Sequence, residues 1–190
     1  MALRISGGTA RGLQLRVPQG HRIRPTTERV RSALFSMLQP LPLDQARVLD
    51  LFAGTGALGI EALSRGAPWA DFVEQDPFQC MLLKENLRLA GFDQRSRVYR
   101  GRVERLLGVL SPPAPYTLVL LDPPYDYPEA PAVMARLGRK EAPLSDHAVV
   151  CLEHSAQRAA EPQYERLRLW KSRRHGDTGI ALYTEGEPPW

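Results

Sequence analysis

The residues best suited to chemistry begin with a glycine-rich stretch at positions 48–63, VLDLFAGTGALGIEAL. In this stretch Gly54, Gly56 and Gly59 match the G-x-G-x-x-G spacing of loops that hold dinucleotides. Asp50 precedes Gly54 by four positions, and a carboxylate there would repel a pyrophosphate. It would suit a ligand with an ammonium and a sulfonium, and S-adenosylmethionine carries both. The stretch therefore predicts an S-adenosylmethionine site rather than an NAD site, the alternative being a purely structural glycine turn.

A second acidic residue, Glu74, ends the strand-like run DFVE twenty positions after Gly54. A carboxylate at that place can accept hydrogen bonds from both hydroxyls of a ribose. Because a ribose is common to NAD and S-adenosylmethionine, Glu74 does not distinguish between the two ligands.

A third group, Asp122-Pro123-Pro124-Tyr125, follows the apolar run TLVLL directly. The exocyclic amine of a nucleobase is a poor nucleophile because its lone pair is delocalised into the ring. Asp122 and the carbonyl of Pro123 can accept hydrogen bonds from the N–H bonds of such an amine, and the two prolines hold the loop rigid. Tyr125 offers a ring on which an unpaired or flipped base can stack. The tetrapeptide predicts methyl transfer to a base amine, with Asp122 able to accept the released proton.

Charge is distributed unevenly along the chain, whose net charge is +4. Residues 1–35 hold seven arginines against Glu28, and residues 158–175 hold six basic residues against two glutamates. The rest of the chain is acidic. Two basic ends around an acidic middle predict a nucleic-acid partner, although solvated surface charge would give the same distribution.

Composition narrows the class of protein. Apolar residues make up 43% and charged residues 24%, which is typical of a globular domain. No segment approaches the roughly 18 to 20 apolar residues that cross a bilayer, and the N-terminus has no apolar core of a secretory signal. Cys80, Cys151 and the four histidines lack the spacing of metal ligands. We expect a cytoplasmic monomer without a metal site or a membrane partner.

Strand-like and helix-like segments alternate through the middle of the chain, which predicts a parallel sheet covered on both faces. The predicted strands are Arg47–Phe52, Ala70–Glu74, Arg97–Arg100, Tyr116–Leu121 and Ala148–Glu153, and the predicted helices are Ala57–Arg65, Phe78–Ala90, Val103–Leu110 and Glu129–Arg139. A final pair, Tyr164–Lys171 and Gly179–Thr184, predicts an antiparallel edge. The expected fold is α/β, with a doubly wound, mostly parallel, seven-stranded sheet.

The first 40 residues follow a different pattern. RISGG and LQLRVPQG suggest two short strands, which would form a hairpin around Gly7, Gly8 and Gly12. RPTTERVRSALFSML then turns helical, with Thr26 or Thr27 as the N-cap. We expect residues 1–40 to form an extension packed on a core domain of residues 41–190.

Together these segments resemble the RsmD family, the bacterial 16S ribosomal RNA guanine-N2 methyltransferases. The resemblance covers nearly the whole chain and includes RISGGTARGLQL, RPTTERVRSALFSML, VLDLFAGTGALGIEALSRGA, FVEQD, DPPY and HGDTGIALY. Many amino-methyltransferases share the central motifs, whereas RPTTERVR is the specific part. The resemblance implies the class I, Rossmann-like methyltransferase fold, S-adenosylmethionine as cofactor, and one guanine of 16S RNA in a partly assembled small subunit as substrate.

The resemblance also implies roles for individual residues. The expected positions are Thr26, Thr27, Asp50, Phe52, Gly54, Thr55, Gly56, Glu74, Gln75, Arg102, Val103 and Asp122 at the cofactor, Asp122, Pro123, Pro124 and Tyr125 at the target base, and Arg11, Arg24, Arg29 and Arg31 at the RNA. Related enzymes often place Asp or Asn after the third strand to accept from the adenine amine, but this chain has Arg102 there. The backbone around Arg102 and Val103 is therefore expected to make that contact.

Two other functions fit much of the same pattern. An adenine-N6 DNA methyltransferase also uses D-P-P-Y, but such enzymes usually carry a target-recognition domain, for which 190 residues leave little room. A non-catalytic RNA-binding or assembly factor would not need the acidic, glycine and D-P-P-Y residues together. The product nucleoside separates the first alternative from the RNA enzyme, and turnover separates the second.

Overall fold

The computed structural model describes residues 3–18 and 28–186, and this part of the chain contains ten strands and five α-helices. The strands are β1 Leu3–Arg4, β2 Gln14–Leu15, β3 Arg47–Leu51, β4 Trp69–Glu74, β5 Ser96–Arg100, β6 Tyr116–Leu121, β7 Leu144–Ser155, β8 Gln163–Tyr164, β9 Leu167–His175 and β10 Thr178–Thr184. The helices are α1 Glu28–Met37, α2 Ala57–Ser64, α3 Pro77–Ala90, α4 Val103–Leu106 and α5 Ala130–Leu137.

Eight strands form one sheet in the order β5-β4-β3-β6-β7-β10-β9-β8. Strands β3 to β7 are joined by parallel pairs, whereas β10 is antiparallel to both β7 and β9, and β8 is antiparallel to β9. The prediction of a mostly parallel α/β sheet with an antiparallel edge is confirmed.

The sheet has one strand more than the seven that the sequence predicted. The predicted strand Tyr164–Lys171 divides into β8 and β9 because Glu165 has a φ of 52°, and left-handed backbone cannot continue an extended strand. β9 then runs on to His175, and Gly176, with a φ of 61°, lies in the tight turn to β10.

Two apolar clusters cover the two faces of the sheet, since successive strand residues point to opposite sides. On β6, Leu118 and Leu120 belong to the cluster that includes α1, α2 and α3. Val119 and Leu121 belong to the cluster that includes α4 and α5. Helices on both faces of the parallel strands give the predicted doubly wound arrangement. Among the helices of the described ranges, none is both long and apolar enough to span a bilayer.

The N-terminal hairpin forms as the sequence predicted, with β1 and β2 paired antiparallel in a sheet of their own. Leu3, Ile5 and Leu15 are buried in the same cluster as α1, so the hairpin packs on the core. The domain boundary at residue 40 stays a prediction, because α1 shares this cluster with α2 and α3.

Candidate active site

The carboxyl ends of β3, β4 and β6 meet at one edge of the sheet, which carries most of the predicted site. Leu51 of β3 lies in register with Val73 on one side and with Leu121 on the other. The next residues of the flanking strands are Glu74 and Asp122, so these two carboxylates stand on either side of the end of β3. Ligands of open parallel sheets bind at such an edge.

Gly54 and Gly56 lie in the loop between β3 and α2, and both have left-handed backbone, with φ of 53° and 82°. A Cβ on Gly56 would lie 2.2 Å from Leu83 Cδ1, so this glycine allows α3 to pack against the loop. A Cβ on Gly54 would meet no atom of the described residues within 4 Å. Gly54 therefore borders open space, and it is the glycine that a ligand can approach.

Asp50 lies beneath this loop, with 1% of its surface exposed. Its Oδ2 accepts a hydrogen bond from the backbone N–H of Gly59 at 2.8 Å, which ties β3 to α2. Burial, together with repulsion from Asp122 and Glu74, raises the pKa of Asp50 to about 8 despite the Gly59 hydrogen bond. Because Asp122 and Glu74 are near enough to repel negative charge on Asp50, this place disfavours a pyrophosphate and favours a cation. The surroundings of Asp50 thus fit the positive charges of S-adenosylmethionine better than the phosphates of NAD.

Glu74 is held in place by backbone groups on both sides. Its Oε2 accepts from the N–H of Gly54 and its Oε1 accepts from the N–H of Asp76, each at 2.8 Å. Each carboxylate oxygen has more than one lone pair, so a ribose hydroxyl can still donate to it. The position and acceptor capacity of Glu74 fit the predicted ribose contact.

The D-P-P-Y loop leaves the end of β6 with Pro123 buried and Pro124 exposed. The N–H of Tyr127 donates to the carbonyl of Pro124 at 2.9 Å, which closes a turn just after the motif. The hydroxyl oxygen of Tyr125 lies 2.7 Å from Oγ1 of Thr178, the first residue of β10. Thr178 is a site residue that the sequence analysis missed, although it lies in the HGDTGIALY segment that carried part of the family resemblance.

An aromatic pair and a charged cluster lie after the ends of β3, β5 and β6. The rings of Phe52 and Tyr127 meet edge to face, with centroids 5.1 Å apart. Tyr127 donates to Glu104, which pairs with Arg102 at 3.4 Å, and Arg102 also reaches Glu129 at 3.6 Å. Phe52 has a φ of 60°, which is rare for a bulky residue, and such strained backbone clusters at functional sites. The Arg102 side chain is thus engaged by carboxylates, and its backbone contact to adenine stays a prediction.

The remaining residues that were predicted at the cofactor differ in how far they are buried. Val103 is buried at the start of α4, Thr55 is partly buried in the glycine loop, and Gln75 is exposed after β4. Thr26 and Thr27 lie outside the described residues. Within residues 3–18 and 28–186, no group of three or more His, Cys, Asp or Glu side chains could hold a metal ion.

The prediction that Arg31 contacts RNA is wrong. Its side chain is 0% exposed, and its Nε lies 3.0 Å from Oε2 of Glu61, which is also fully buried. A buried charge is tolerated only beside a partner, so this guanidinium must stay with its carboxylate. Of the other predicted RNA residues, Arg11 and Arg29 are exposed, whereas Arg24 lies outside the described residues.

Glu61 is a structural hub that the sequence analysis missed. Its carboxylate accepts hydrogen bonds from the N–H and the hydroxyl of Ser6, both at 2.8 Å, and it pairs with Arg31 and with Arg65. It therefore joins the N-terminal hairpin and α1 to α2, the helix that follows the glycine loop. An acid within the apolar helix ALGIEALS was the available signal.

Asn86 makes a second link between the N-terminal segment and the glycine loop. This side chain is fully buried on α3. It accepts from the N–H of Arg16 at 2.8 Å and donates to the carbonyls of Arg16 and Thr55 at 3.0 and 2.9 Å. The glycine loop is thus held by Asn86 of α3, which is itself held by Arg16, the residue directly after β2.

Comparisons with known proteins find relatives over nearly the whole chain. The sequence model of the family described as conserved hypothetical protein 95 matches residues 3–184. The protein YlbH of Bacillus subtilis (strain 168) is 32% identical over 182 residues, which cover 95% of this chain and 98% of YlbH. Ribosomal RNA small subunit methyltransferase D of Escherichia coli (strain K12) is 42% identical over 125 residues, or 65% of this chain and 60% of that protein. The solved structure of YhhF from Escherichia coli has a TM-score of 0.84 at 31% identity, covering 97% of this chain and 98% of the other.

Proposed function

The chain belongs to the RsmD family, whose sequence model is described as conserved hypothetical protein 95, and we propose that it methylates the exocyclic N2 amine of a guanine in 16S ribosomal RNA. The observation that carries the proposal is the position of the D-P-P-Y loop beside the glycine loop, at the ends of the neighbouring strands β6 and β3. The name of the Escherichia coli relative, ribosomal RNA small subunit methyltransferase D, supports RNA as the substrate.

The residues at this edge fit S-adenosylmethionine, which supplies an electrophilic methyl group when it is bound. Gly54 provides the open approach, since a Cβ there would point into free space. The buried carboxylate of Asp50 would hold the positively charged methionine end, and Glu74 would accept from the ribose hydroxyls. The expected contact of adenine with the backbone at Arg102 and Val103 completes this proposed arrangement.

The D-P-P-Y loop would hold and activate the guanine amine. Asp122 and the Pro123 carbonyl would accept hydrogen bonds from its N–H groups, which directs the nitrogen lone pair at the methyl group. Tyr125 would stack on the base, with its ring orientation held by Thr178. The loop would also hold the amine in position for the transfer, which lowers the barrier by alignment. Asp122 would be placed to accept the proton that the amine loses when it takes up the methyl group.

The proposal also covers the form of the substrate, the oligomeric state of the enzyme and its location. We expect a guanine in a partly assembled small subunit, a monomeric enzyme, and a cytoplasmic location, where ribosome assembly takes place. The exposed arginines Arg11 and Arg29 lie on the N-terminal extension and support an RNA-facing role for it.

The deciding experiment uses small ribosomal subunits from cells that lack the gene for this protein. The subunits are incubated with the protein and S-adenosylmethionine and then digested to nucleosides for mass spectrometry. We expect N2-methylguanosine with the wild-type protein and, over the same short incubation, about 100-fold less or none with Asp122→Ala. N6-methyladenine in DNA, with no product in RNA, would instead identify a DNA enzyme. Cofactor binding without product on subunits, free RNA or DNA would identify a non-catalytic factor.

A further inference from the structure

A basic groove runs between the end of α1 and the outer part of the sheet. It has a volume of about 320 Å³ and is lined by Ser36, Met37, Gln39 and Pro40 on one side and by Lys171 and Arg173 of β9 on the other. We propose that this groove binds the phosphate backbone of the substrate RNA next to the methylated guanine. The inference rests on the proposed function, because it adds a second contact surface for the same substrate.

The strand register places both cations on the side of the sheet that α1 covers. Arg173 pairs with Ile180, and Lys171 pairs with Leu182. Paired residues of antiparallel strands point to the same face, and Ile180 and Leu182 belong to the cluster under α1. Lys171 and Arg173 therefore project past the edge of that cluster, beside the end of α1.

Both cations are available to a polyanion. They are exposed, and neither forms an ion pair with any residue of the described ranges. The ammonium of Lys171 lies 3.8 Å from the ring centroid of Trp170, a contact that limits its freedom. By contrast, Arg47 and Arg166 are neutralised by Asp71 and Glu185. Unpaired cations beside the exposed amide side chain of Gln39, which can donate, match what phosphate groups require.

The groove also begins close to the catalytic edge. β9 runs in the same direction as β6, since β10 is antiparallel to both β7 and β9, and β7 is parallel to β6. The carboxyl end of β9 thus lies at the same edge as Asp122. Arg173 pairs with Ile180, only two residues from Thr178, the partner of Tyr125. Two strand residues span about 7 Å, so an RNA chain in the groove would pass next to the base at Tyr125.

The test compares the double variant Lys171→Gln/Arg173→Gln with the matched control Lys84→Gln/Arg139→Gln. The control pair is also one lysine and one arginine, both exposed, and neither lines the groove. The affinity of each protein for transcribed 16S ribosomal RNA is measured over a range of salt concentrations. Loss of two phosphate contacts should reduce the slope of log K against log[salt] by about 1.5 and weaken binding by about tenfold at moderate salt. The control should keep the wild-type slope.

Two further measurements distinguish a loss of RNA binding from misfolding of the variant or damage to its catalytic site. Cofactor binding by calorimetry should be the same in all three proteins, which shows that the groove variant is folded. In methyl transfer, the KM for RNA should rise about tenfold in the groove variant, while kcat stays within about twofold because the D-P-P-Y loop is untouched.

If the groove variant keeps the wild-type slope, the two cations are surface charges that do not contact RNA, and the inference is overturned. If the wild-type protein neither binds nor methylates RNA, the proposed function falls and the groove assignment falls with it.

Discussion

The hydroxyl of Tyr125 and the Oγ1 of Thr178 lie 2.7 Å apart, so the D-P-P-Y loop is tied to the start of β10 across 53 positions of sequence. Thr178 is 4% exposed and lies in β10, which is hydrogen-bonded to β7 on one side and to β9 on the other. A loop that leaves a parallel strand would otherwise be free to move. The antiparallel end of the sheet therefore helps to orient the ring on which we expect the base to stack.

Replacing Thr178 by Val keeps the shape of the side chain but removes the partner of Tyr125. One hydrogen bond contributes about 0.5–1.5 kcal/mol, so kcat/KM for RNA should fall about 2- to 13-fold. Cofactor affinity should not change, and Thr178→Ser should restore activity. Tyr125→Phe breaks the same bond from the other side, so the double variant should lose little more than either single variant. Fully additive losses would show that the two hydroxyls act independently.

Asp122→Ala should lower turnover far more than cofactor affinity, because the proposed contacts of Asp122 are to the target amine. We expect a loss in kcat of about 100-fold or more, with cofactor affinity within a few-fold of wild type. Single-turnover methylation and calorimetry give the two quantities. Equal losses in both would mean that Asp122 serves mainly to bind the cofactor.

The raised pKa of Asp50 predicts release of a proton when the cofactor binds. With a pKa of about 8, the carboxyl is largely protonated at pH 7 in the protein alone, whereas a bound cation favours the ionised form. Calorimetry in buffers of different ionisation enthalpy should therefore detect proton release near pH 7 for the wild type. Asp50→Asn should release none from this position. Equal release by both proteins would assign the proton to another group.

The raised pKa of Asp50 also predicts how the stability of the fold depends on pH. Because the folded pKa lies above that of the unfolded chain, Asp50 binds more protons in the folded state between about pH 4 and pH 8. The wild type should thus lose stability relative to Asp50→Asn as the pH rises through this window. Urea unfolding of both proteins at pH 5 and pH 8 measures the difference, and a pH-independent difference would contradict the assignment.

Arg29 and Arg31 should behave differently although they are two positions apart. Arg31→Met leaves the buried carboxylate of Glu61 with one cation fewer and should destabilise the fold by about 3 kcal/mol in urea unfolding. Arg29→Ala should leave stability unchanged and reduce the salt slope of RNA binding by about 0.7–0.9. A reduced slope for a folded Arg31→Met protein would show that this guanidinium reaches RNA after all.

Gly54→Ala and Gly56→Ala should have different effects, the first mainly on cofactor affinity and the second mainly on the stability of the fold. Both positions have left-handed backbone, so each alanine costs about 1–2 kcal/mol of strain. At Gly56 the new methyl group also meets Leu83, which should add a further loss of about 1–3 kcal/mol in thermal or urea unfolding. At Gly54 the methyl group enters the crevice, so the additional loss should be in cofactor affinity. The opposite pattern would mean that the ligand approaches at Gly56.

Much of the site was predictable because its residues are close together in sequence. The strand VLDL, the glycines after it and the D-P-P-Y motif each lie within a few positions of a strand end. Parallel strands then place such ends at one edge of the sheet. The extra strand was missed because the left-handed backbone of Glu165 has no signature in the residue type.

The sequence alone determined the α/β fold and the acidic, glycine-rich site, because hydrophobic periodicity and backbone geometry are local properties. Only the tertiary structure decided which charged and polar residues serve the core. The spacing of Arg31 from Leu34 and Phe35 places it on the buried face of α1. Its charge is tolerated there only because Glu61, 30 positions away, pairs with it. Tyr125 and Thr178 are separated by still more of the chain. A buried polar group needs a partner, and which residue becomes that partner is decided by packing between elements rather than by the residues beside it in sequence.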